Sequence, residues 1–191
     1  MSSKPDLVLD IAGVLATNPS PYFWNDLSLK FEVLYEELIQ FKKETRKELW
    51  TGEITEQDFW LKLNNSFPSV EINYAKSKLK SVIKPLPALE KIPLWSQYAN
   101  IHLLSNHRIE WIQHILAEVQ PYIKSITISG EASCCKPDSA IYLRVERYLN
   151  KKHTLFVDDQ EKNFKEARSL GWKTLLADKE GTWADKVIGS L

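Results

Sequence analysis

The sequence predicts an α/β fold, a doubly wound parallel sheet with a small helical insertion after its first strand. Short apolar runs alternate with amphipathic helices, which is typical of a parallel sheet covered by helices on both faces. Several of these runs end abruptly on polar residues, and open α/β sheets bind ligands just beyond the carboxyl ends of their strands. The stretch between the first two runs has helical periodicity and contains no convincing strand.

The first predicted strand, residues 7–9, is an apolar run that ends at Asp10. Gly13 follows three residues later and lets the chain turn away with its backbone amides exposed. A carboxylate at this edge can attack phosphorus or hold a metal ion. A strand followed by an ordinary Asx-turn accounts for the same residues, so the later strands decide between the two interpretations.

Helices are expected between the first and second strands. Residues 16–30, which contain two prolines, are predicted to be a turn-rich exit from the first strand. Residues 31–50 are predicted to form a helix, because their apolar side chains recur at spacings of three and four. Two more helices are expected, one after Thr55 as its N-cap and one over residues 71–82. Residues 85–87, Pro-Leu-Pro, are interpreted as the linker back to the sheet.

These helices divide the predicted chain into two domains. Residues 1–17 and 85–191 are expected to form the α/β core, and residues 18–84 an α-helical cap domain. Trp50 and Trp60 flank a turn within the cap. We expect both to pack in the interior of the cap, although either could line a substrate pocket.

Polar residues also follow two later strands of the predicted sheet. One apolar strand covers residues 101–104 and another covers residues 154–157, and a Lys-Pro pair opens a helix between them. Because parallel strands end at the same edge of a sheet, the polar groups after them should gather there. The residues concerned are Asp10, Ser105, Asn106, Lys136, Asp158 and Asp159.

Such a set of side chains is suited to phosphoryl transfer. Asp10 is ionised at neutral pH and can act as the nucleophile. Ser105, Lys136 and the backbone amides after Asp10 can bind phosphoryl oxygens. The clustered carboxylates are the ligands that Mg²⁺ prefers, and Asn163 is expected to orient the loop that carries two of them.

The clusters resemble, in order and spacing, the motifs of the haloacid-dehalogenase-like (HAD-like) hydrolase superfamily over nearly the whole chain. The matching stretches read D-I-A-G-V-L, L-L-S-N, C-K-P-D and F-V-D-D-Q-E-K-N. The resemblance implies a Rossmann-like core, a small α-helical cap, Mg²⁺ as cofactor and a small phosphorylated metabolite as substrate. The cap turn and the last motif resemble a branch that contains small sugar-phosphate phosphatases. The implied roles are catalytic for Asp10, Ser105 and Lys136, substrate-binding for Ser105, Asn106 and Lys136, and metal-binding for Asp10, Ala12, Asp158 and Asp159.

One position departs from the pattern of the superfamily. Its phosphatases carry a second Asp in the first motif as general acid and base, and this chain has Ala12 there. The carbonyl of Ala12 can still meet a metal ion, but its methyl group cannot carry a proton, and general acid–base catalysis is typically worth about 10²–10⁴-fold. His107 could supply the missing acid, since imidazole titrates near neutrality, although a loop histidine is more often a solvated surface residue.

Three functions therefore remain open. The first is a phosphatase whose leaving group needs little protonation, such as a sugar released from its anomeric phosphate, and this is the function we favour. The second is a non-catalytic relative that binds a phosphorylated ligand or a protein. The third is a phosphonate hydrolase, because such relatives carry Ala at this position and form a Schiff base on a cap lysine. Dehalogenation is disfavoured because the acidic pair suits a metal site. The cap lysines that could form this Schiff base are Lys42, Lys43, Lys47 and Lys62.

Composition argues against several other classes of protein. The 25 Lys and Arg residues balance the 25 Asp and Glu residues, so no nucleic-acid surface or polybasic membrane anchor is indicated. No apolar stretch approaches the roughly 20 residues of a membrane span, and no signal peptide is expected. The two cysteines, Cys134 and Cys135, make no disulfide framework, which favours a cytoplasmic protein. Monomer and homodimer both remain open.

Overall fold

The computed structural model describes residues 4–150 and 153–191 and contains a five-stranded parallel sheet. The strands are β1 (Asp6–Leu9), β2 (Asn100–Ser105), β3 (Ile123–Ile128), β4 (Thr154–Asp158) and β5 (Lys173–Leu176). Their order across the sheet is β3-β2-β1-β4-β5, so β1 is central and pairs with β2 and β4. The predicted parallel α/β architecture is confirmed.

Ten α-helices lie within the described residues. They are α1 (Ser20–Phe31), α2 (Tyr35–Thr51), α3 (Glu56–Ser66), α4 (Ile72–Val82), α5 (Ile92–Tyr98), α6 (Ile109–Leu116), α7 (Ser129–Ala132), α8 (Ser139–Glu146), α9 (Phe164–Ser169) and α10 (Trp183–Ser190). The 3-10 segments are Pro87–Lys91, Gln120–Tyr122 and Glu161–Asn163. Helices α1 to α4 all fall between β1 and β2. In the part of the chain that the structure describes, no helix has the length and apolar character needed to cross a bilayer.

Helices cover both faces of the sheet. Along β1, Leu7 and Leu9 belong to one core with residues of α5, α6 and α10. Val8, on the opposite face, belongs to a second core with Ile141 of α8 and Phe164 of α9. Successive side chains of a strand point to opposite faces, so a strand covered on both sides is apolar throughout. This explains the short unbroken apolar runs in the sequence.

The prediction of a turn-rich exit at residues 16–30 is wrong, because most of this stretch forms α1. The prolines favour a turn by composition, yet Pro19 occupies the N-cap and Pro21 the first turn of the helix. The first turn has no intrahelical partner for its N–H groups, so proline costs no hydrogen bond there. The buried side of the helix consists of Phe23, Trp24 and Leu27.

The helix predicted over residues 31–50 also begins later than expected. Glu32 has a positive φ of 54° and ends α1, and α2 starts only after it. Gly52, with φ 74°, then ends α2 in the left-handed conformation that glycine adopts without strain. The N-cap predicted at Thr55 is confirmed, since its hydroxyl and the carboxylate of Asp58 form a reciprocal capping box at α3.

The two segments that join the four helices to the sheet are hydrogen-bonded to each other. The Thr17 hydroxyl donates to the carbonyl of Val82 at 2.6 Å and accepts from the N–H of Lys84 at 2.9 Å. Ala16 forms an isolated β-bridge with Pro85 at the same place. The chain therefore leaves and re-enters the sheet through one narrow connection.

The insertion also contacts the core at the end of α2. A Cβ on Gly52 would lie only 2.2 Å from the carbonyl oxygen of Gly130 in α7, so the two backbones meet where no side chain fits. Beside them, Arg108 donates to the carbonyl of Ile54 at 3.4 Å. These contacts hold the turn between α2 and α3 against α7 and against the loop that follows β2.

Candidate active site

Four of the predicted site residues meet at the carboxyl edge of the sheet. Asp10 follows β1, Ser105 ends β2 and Asp158 ends β4, while Lys136 comes from the loop before α8. Each of the four is at most 4% exposed. The Lys-Pro pair does not open the helix as predicted. Pro137 lies one residue before Asp138, which is the N-cap of α8, and therefore outside the first helical turn.

The two carboxylate oxygens of Asp10 have different surroundings. Oδ1 accepts from the Ser105 hydroxyl at 2.6 Å and the Ile11 N–H at 2.7 Å, and lies 3.0 Å from Nζ of Lys136. No donor within residues 4–150 and 153–191 contacts Oδ2. Burial raises the pKa of the Asp10 carboxyl to about 6, although the Lys136 ammonium opposes this rise. Asp10 is therefore mainly ionised at neutral pH, and Oδ2 is available to react.

Lys136 bridges two buried carboxylates. Its Nζ lies 2.6 Å from Oδ2 of Asp158 in addition to its contact with Asp10, and 5.5 Å from the ring centre of Phe156. Burial alone would lower the pKa of Lys136, but the two carboxylates outweigh burial and raise it. Lys136 is thus a fixed positive charge between β1 and β4.

Asn106 holds the backbone on which Lys136 sits. Its amide donates to the Lys136 carbonyl at 2.8 Å, and its carbonyl oxygen accepts from the Lys136 N–H at 2.7 Å. Both groups of the Asn106 side chain are therefore engaged within the protein. The substrate contact predicted for Asn106 stays a prediction, and its observed contacts position Lys136.

The adjacent acids Asp158 and Asp159 differ in their bonding. Besides Lys136, Asp158 accepts from the Asn163 amide at 2.9 Å on both oxygens and from the Gln160 N–H at 2.8 Å. Asp159 is half-buried and accepts only from the Gln160 side chain at 3.2 Å among these neighbours. Asp158 is consequently an anchor for Lys136, whereas Asp159 has oxygens left for another ligand.

The carboxylates fit the requirements of a Mg²⁺ ion. Asp10, Asp158 and Asp159 each offer an oxygen within 4.8 Å of the others. Ligands on opposite sides of a Mg²⁺ ion are about 4.2 Å apart. Gly13 keeps this space open, because a Cβ at its φ of 82° would lie 2.3 Å from Oδ2 of Asp159. The half-buried Ala12 lies in the same turn and brings no group that titrates.

Tyr142 supports the site from α8, a role that the sequence does not predict. The Tyr142 hydroxyl donates to the carbonyl of Asn163 at 2.7 Å, and the Asn163 amide in turn holds Asp158. Helical periodicity marks Tyr142 as a core residue. No sequence signal shows that its hydroxyl reaches the loop after β4.

His107 is not the solvated loop residue that its position favours. It is 3% exposed, and its ring centre lies 5.7 Å from that of Trp50 and 5.9 Å from that of Trp111. Its Nδ1 accepts from the Arg108 N–H at 3.0 Å, and burial lowers the pKa of the imidazole to about 4. A neutral, enclosed imidazole is a weak proton donor at pH 7, which argues against His107 as the missing acid.

The pKa of His107 predicts a loss of stability in acid. A histidine in the unfolded chain takes up a proton below about pH 6.5, whereas the folded protein resists protonation down to about pH 4. Folded-state stability is therefore lost as pH falls through this window, by about 2 kcal/mol at pH 5. Urea unfolding at pH 7.5 and pH 5 measures the loss. His107→Gln should lose about 2 kcal/mol less than the wild type, and His114→Gln, which removes an exposed imidazole from α6, should match the wild type.

Comparison with known proteins places this geometry in a fold family. No model of a protein family matches the sequence, and no curated protein matches it. Solved structures do match: a HAD family enzyme from Bacteroides thetaiotaomicron superposes with a TM-score of 0.82 at 20% identity, over 97% of this chain and 99% of the enzyme. This chain has the HAD-like fold.

Two further structures extend the comparison. The same B. thetaiotaomicron enzyme in complex with magnesium and inorganic phosphate matches with a TM-score of 0.79 at 20% identity, over 96% of this chain and 98% of that one. A predicted HAD-like family hydrolase from Porphyromonas gingivalis matches with a TM-score of 0.71 at 16% identity, over 97% of each chain. The HAD-like fold accordingly extends over the insertion as well as the sheet.

Proposed function

We propose that this protein is a Mg²⁺-dependent phosphatase of a small phosphorylated metabolite, with a sugar phosphate favoured. One observation carries the proposal: a continuous series of buried side-chain contacts at the carboxyl edge of the sheet, which runs through Ser105, Asp10, Lys136 and Asp158. The solved complex of the B. thetaiotaomicron enzyme with magnesium and phosphate supports it. A variant of that enzyme with one aspartate replaced by alanine was also solved with both ligands.

The proposed reaction has two steps at Asp10. Oδ2 attacks phosphorus, the bond from phosphorus to the leaving oxygen breaks, and an aspartyl-phosphate forms. Water then attacks the same phosphorus, and the bond to Oδ2 breaks to release inorganic phosphate and the free carboxylate. The third N–H of the Lys136 ammonium, and the Ser105 hydroxyl once it turns away from Oδ1, would donate to the phosphoryl oxygens during both steps.

Asp10, Asp159 and the carbonyl of Ala12 would hold the Mg²⁺ ion. When bound, the ion supplies positive charge that offsets the charge of the carboxylates and the phosphoryl group. Asp158, predicted as a further ligand, lies within reach but already accepts four hydrogen bonds or ion-pair contacts from three neighbours. We therefore assign Asp158 to the support of Lys136.

Residues 18–84 form the proposed cap over this site, and residues 1–17 and 85–191 the proposed core. The contacts of Gly52 with Gly130 of α7 and of Trp50 with His107 in the loop after β2 support this division, because they place the insertion beside the carboxyl edge of the sheet. The cytoplasmic location and the choice between monomer and homodimer stay predictions from the sequence.

A phosphate-release assay on a panel of sugar phosphates and nucleotides tests the proposal. We expect turnover with Mg²⁺ and none after chelation.

Asp159→Asn should raise the Mg²⁺ concentration for half-maximal rate by about 10–100-fold, because it removes an ionised ligand. Asp185→Asn, which alters a carboxylate whose side chain is 79% exposed, is the matched control and should not change it. Turnover without any divalent ion, or absence of Mg²⁺ binding by calorimetry, would contradict the proposed mechanism.

The absence of an acid at Ala12 predicts a strong dependence of the rate on the leaving group. An aryl phosphate departs as a weakly basic phenolate, whereas an alkyl phosphate departs as a basic alkoxide that needs a proton. Ala12→Asp should raise kcat/KM for alkyl phosphates more than for aryl phosphates. The gain should stay below the full 10²–10⁴-fold, because a side chain misplaced by about 1 Å is a poor catalyst. Equal leaving-group sensitivity in both proteins would show that another group already donates the proton.

One observation, on Lys42, supports the alternative function of a phosphonate hydrolase. This residue is half-buried, and burial together with the charge of Arg46 lowers the pKa of its amine, as an amine that attacks a carbonyl requires. Among the other cap lysines, Lys43 and Lys47 are exposed and Lys62 pairs with Glu48. Incubation with phosphonoacetaldehyde and borohydride, followed by peptide mass spectrometry, separates the functions. A reduced adduct on Lys42 favours the phosphonate hydrolase, and an unmodified Lys42 favours the phosphatase.

A further inference from the structure

A cavity of about 70 Å³ lies between α1, α2, α3, α4 and α6. This volume has room for on the order of five water molecules, which matches a carboxylate or phosphate group on a short carbon stem. Most of its lining is apolar and aromatic. The aromatic members are Phe23, Trp24, Trp50, Phe59 and Trp111.

Two cations enter this apolar lining from α2. Lys42 and Arg46 stand one helical turn apart, and both line the cavity. Nζ of Lys42 donates to the Ser20 hydroxyl at 2.5 Å. Within residues 4–150 and 153–191, neither cation forms an ion pair with a carboxylate. Like charges one turn apart destabilise a helix, so this pair has an electrostatic cost that a bound anion would remove.

The cavity lies beside the candidate active site. Its wall residues Trp50 and Trp111 both contact the ring of His107, two residues after Ser105. Burial raises the pKa of the Cys135 thiol, and the charge of Arg46 opposes that rise. The wall formed by Trp50 and Trp111 thus packs against the loop that follows Ser105 and carries Asn106.

We propose that Lys42 and Arg46 bind a second anionic group of the substrate. The substrate class is then a short phosphate ester that carries a carboxylate or a second phosphate away from the scissile bond. This inference rests on the proposed phosphatase function, because it places the scissile phosphate at Asp10. The aromatic walls would cover the carbon stem, while the half-buried Lys42 and the exposed Arg46 would bind the anion.

Calorimetric titration in the Asp10→Asn background, with Mg²⁺ present, tests the inference without turnover. One pair of probes is 3-phosphoglycerate and glycerol 3-phosphate, which differ by a carboxylate. A second pair is 1,3-propanediol bisphosphate and propyl phosphate, which differ by a phosphate. We expect the doubly anionic member of at least one pair to bind about tenfold more tightly, and the responding pair identifies the anion.

Matched variants show whether the cavity cations cause this preference. Lys42→Gln and Arg46→Gln should each reduce it below about threefold, and Arg46→Lys should retain part of it. Lys43→Gln removes an exposed charge from the same helix outside the cavity and should leave the preference intact. Circular dichroism confirms that each variant is folded.

Three outcomes overturn the inference: equal affinities within both pairs, no binding of any probe, or a loss in Lys43→Gln as large as in Arg46→Gln. The phosphatase assay on the wild type is scored separately. A tenfold preference without turnover would sustain the anion site while rejecting the phosphatase. Turnover without a preference would support the phosphatase and reject the anion site.

Discussion

Replacement of Asp10 by asparagine is expected to lower kcat by about 10⁴-fold or more while leaving the fold intact. An amide has nearly the shape of the carboxylate, but its oxygen is a poor nucleophile and a weaker metal ligand. The Ser105 hydroxyl and the Ile11 N–H can still donate to an amide oxygen at the Oδ1 position. The loss therefore reports the chemistry of Oδ2.

The measurement is single-turnover phosphate release by both proteins at saturating Mg²⁺. Mass spectrometry of the variant excludes deamidation of the new asparagine back to aspartate, which would mimic residual activity. Asp185→Asn is the control for a general charge effect and should keep full activity. A beryllofluoride adduct of the wild type that is absent from the variant would support the assignment. Wild-type rates in intact Asp10→Asn would exclude Asp10 as the nucleophile.

The three central strands, β1, β2 and β4, could be predicted because they are covered on both faces. Such strands are continuous apolar runs, and the residues that end them share an edge whatever the details of packing. Asp10, Ser105 and Asp158 therefore lie together at one edge of the sheet, as their positions at the ends of the apolar runs predict. Helix α1 could not be predicted in the same way, because its prolines are typical of turns as well as of first helical turns.

The division of roles within the site depends on contacts that sequence order does not contain. Asp158 and Asp159 are adjacent acids, yet only Asp158 faces Lys136 and Asn163. His107 is enclosed because α2 of the insertion brings Trp50 against it, across a long separation in sequence. The spacing of Lys42 and Arg46 is visible in the sequence. The apolar cavity between them and α6 is a product of tertiary packing.

Replacement of Lys136 by methionine should have the largest effect on stability. Methionine is unbranched and only one atom shorter than lysine, and it removes the charge between Asp10 and Asp158, two carboxylates that are 4% and 0% exposed. Loss of one partner from a buried ion pair typically costs 3–5 kcal/mol, because the remaining charge is uncompensated. We expect a loss of about that size in the free energy of unfolding at pH 7.5, measured by urea denaturation without Mg²⁺.

Three further measurements test whether uncompensated charge causes this loss. Lower pH should reduce it, because the pKa of Asp10 is already about 6 with Lys136 present and protonation then becomes easier. Saturating Mg²⁺ should reduce it, because carboxylates without the Lys136 ammonium attract the ion more strongly, so that the ion stabilises the variant more than the wild type. The double variant Lys136→Met with Asp158→Asn should be more stable than the sum of its single variants predicts, because one of the two uncompensated charges is gone. A loss below about 1 kcal/mol, or an additive double variant, would show that Lys136 does not hold these carboxylates together.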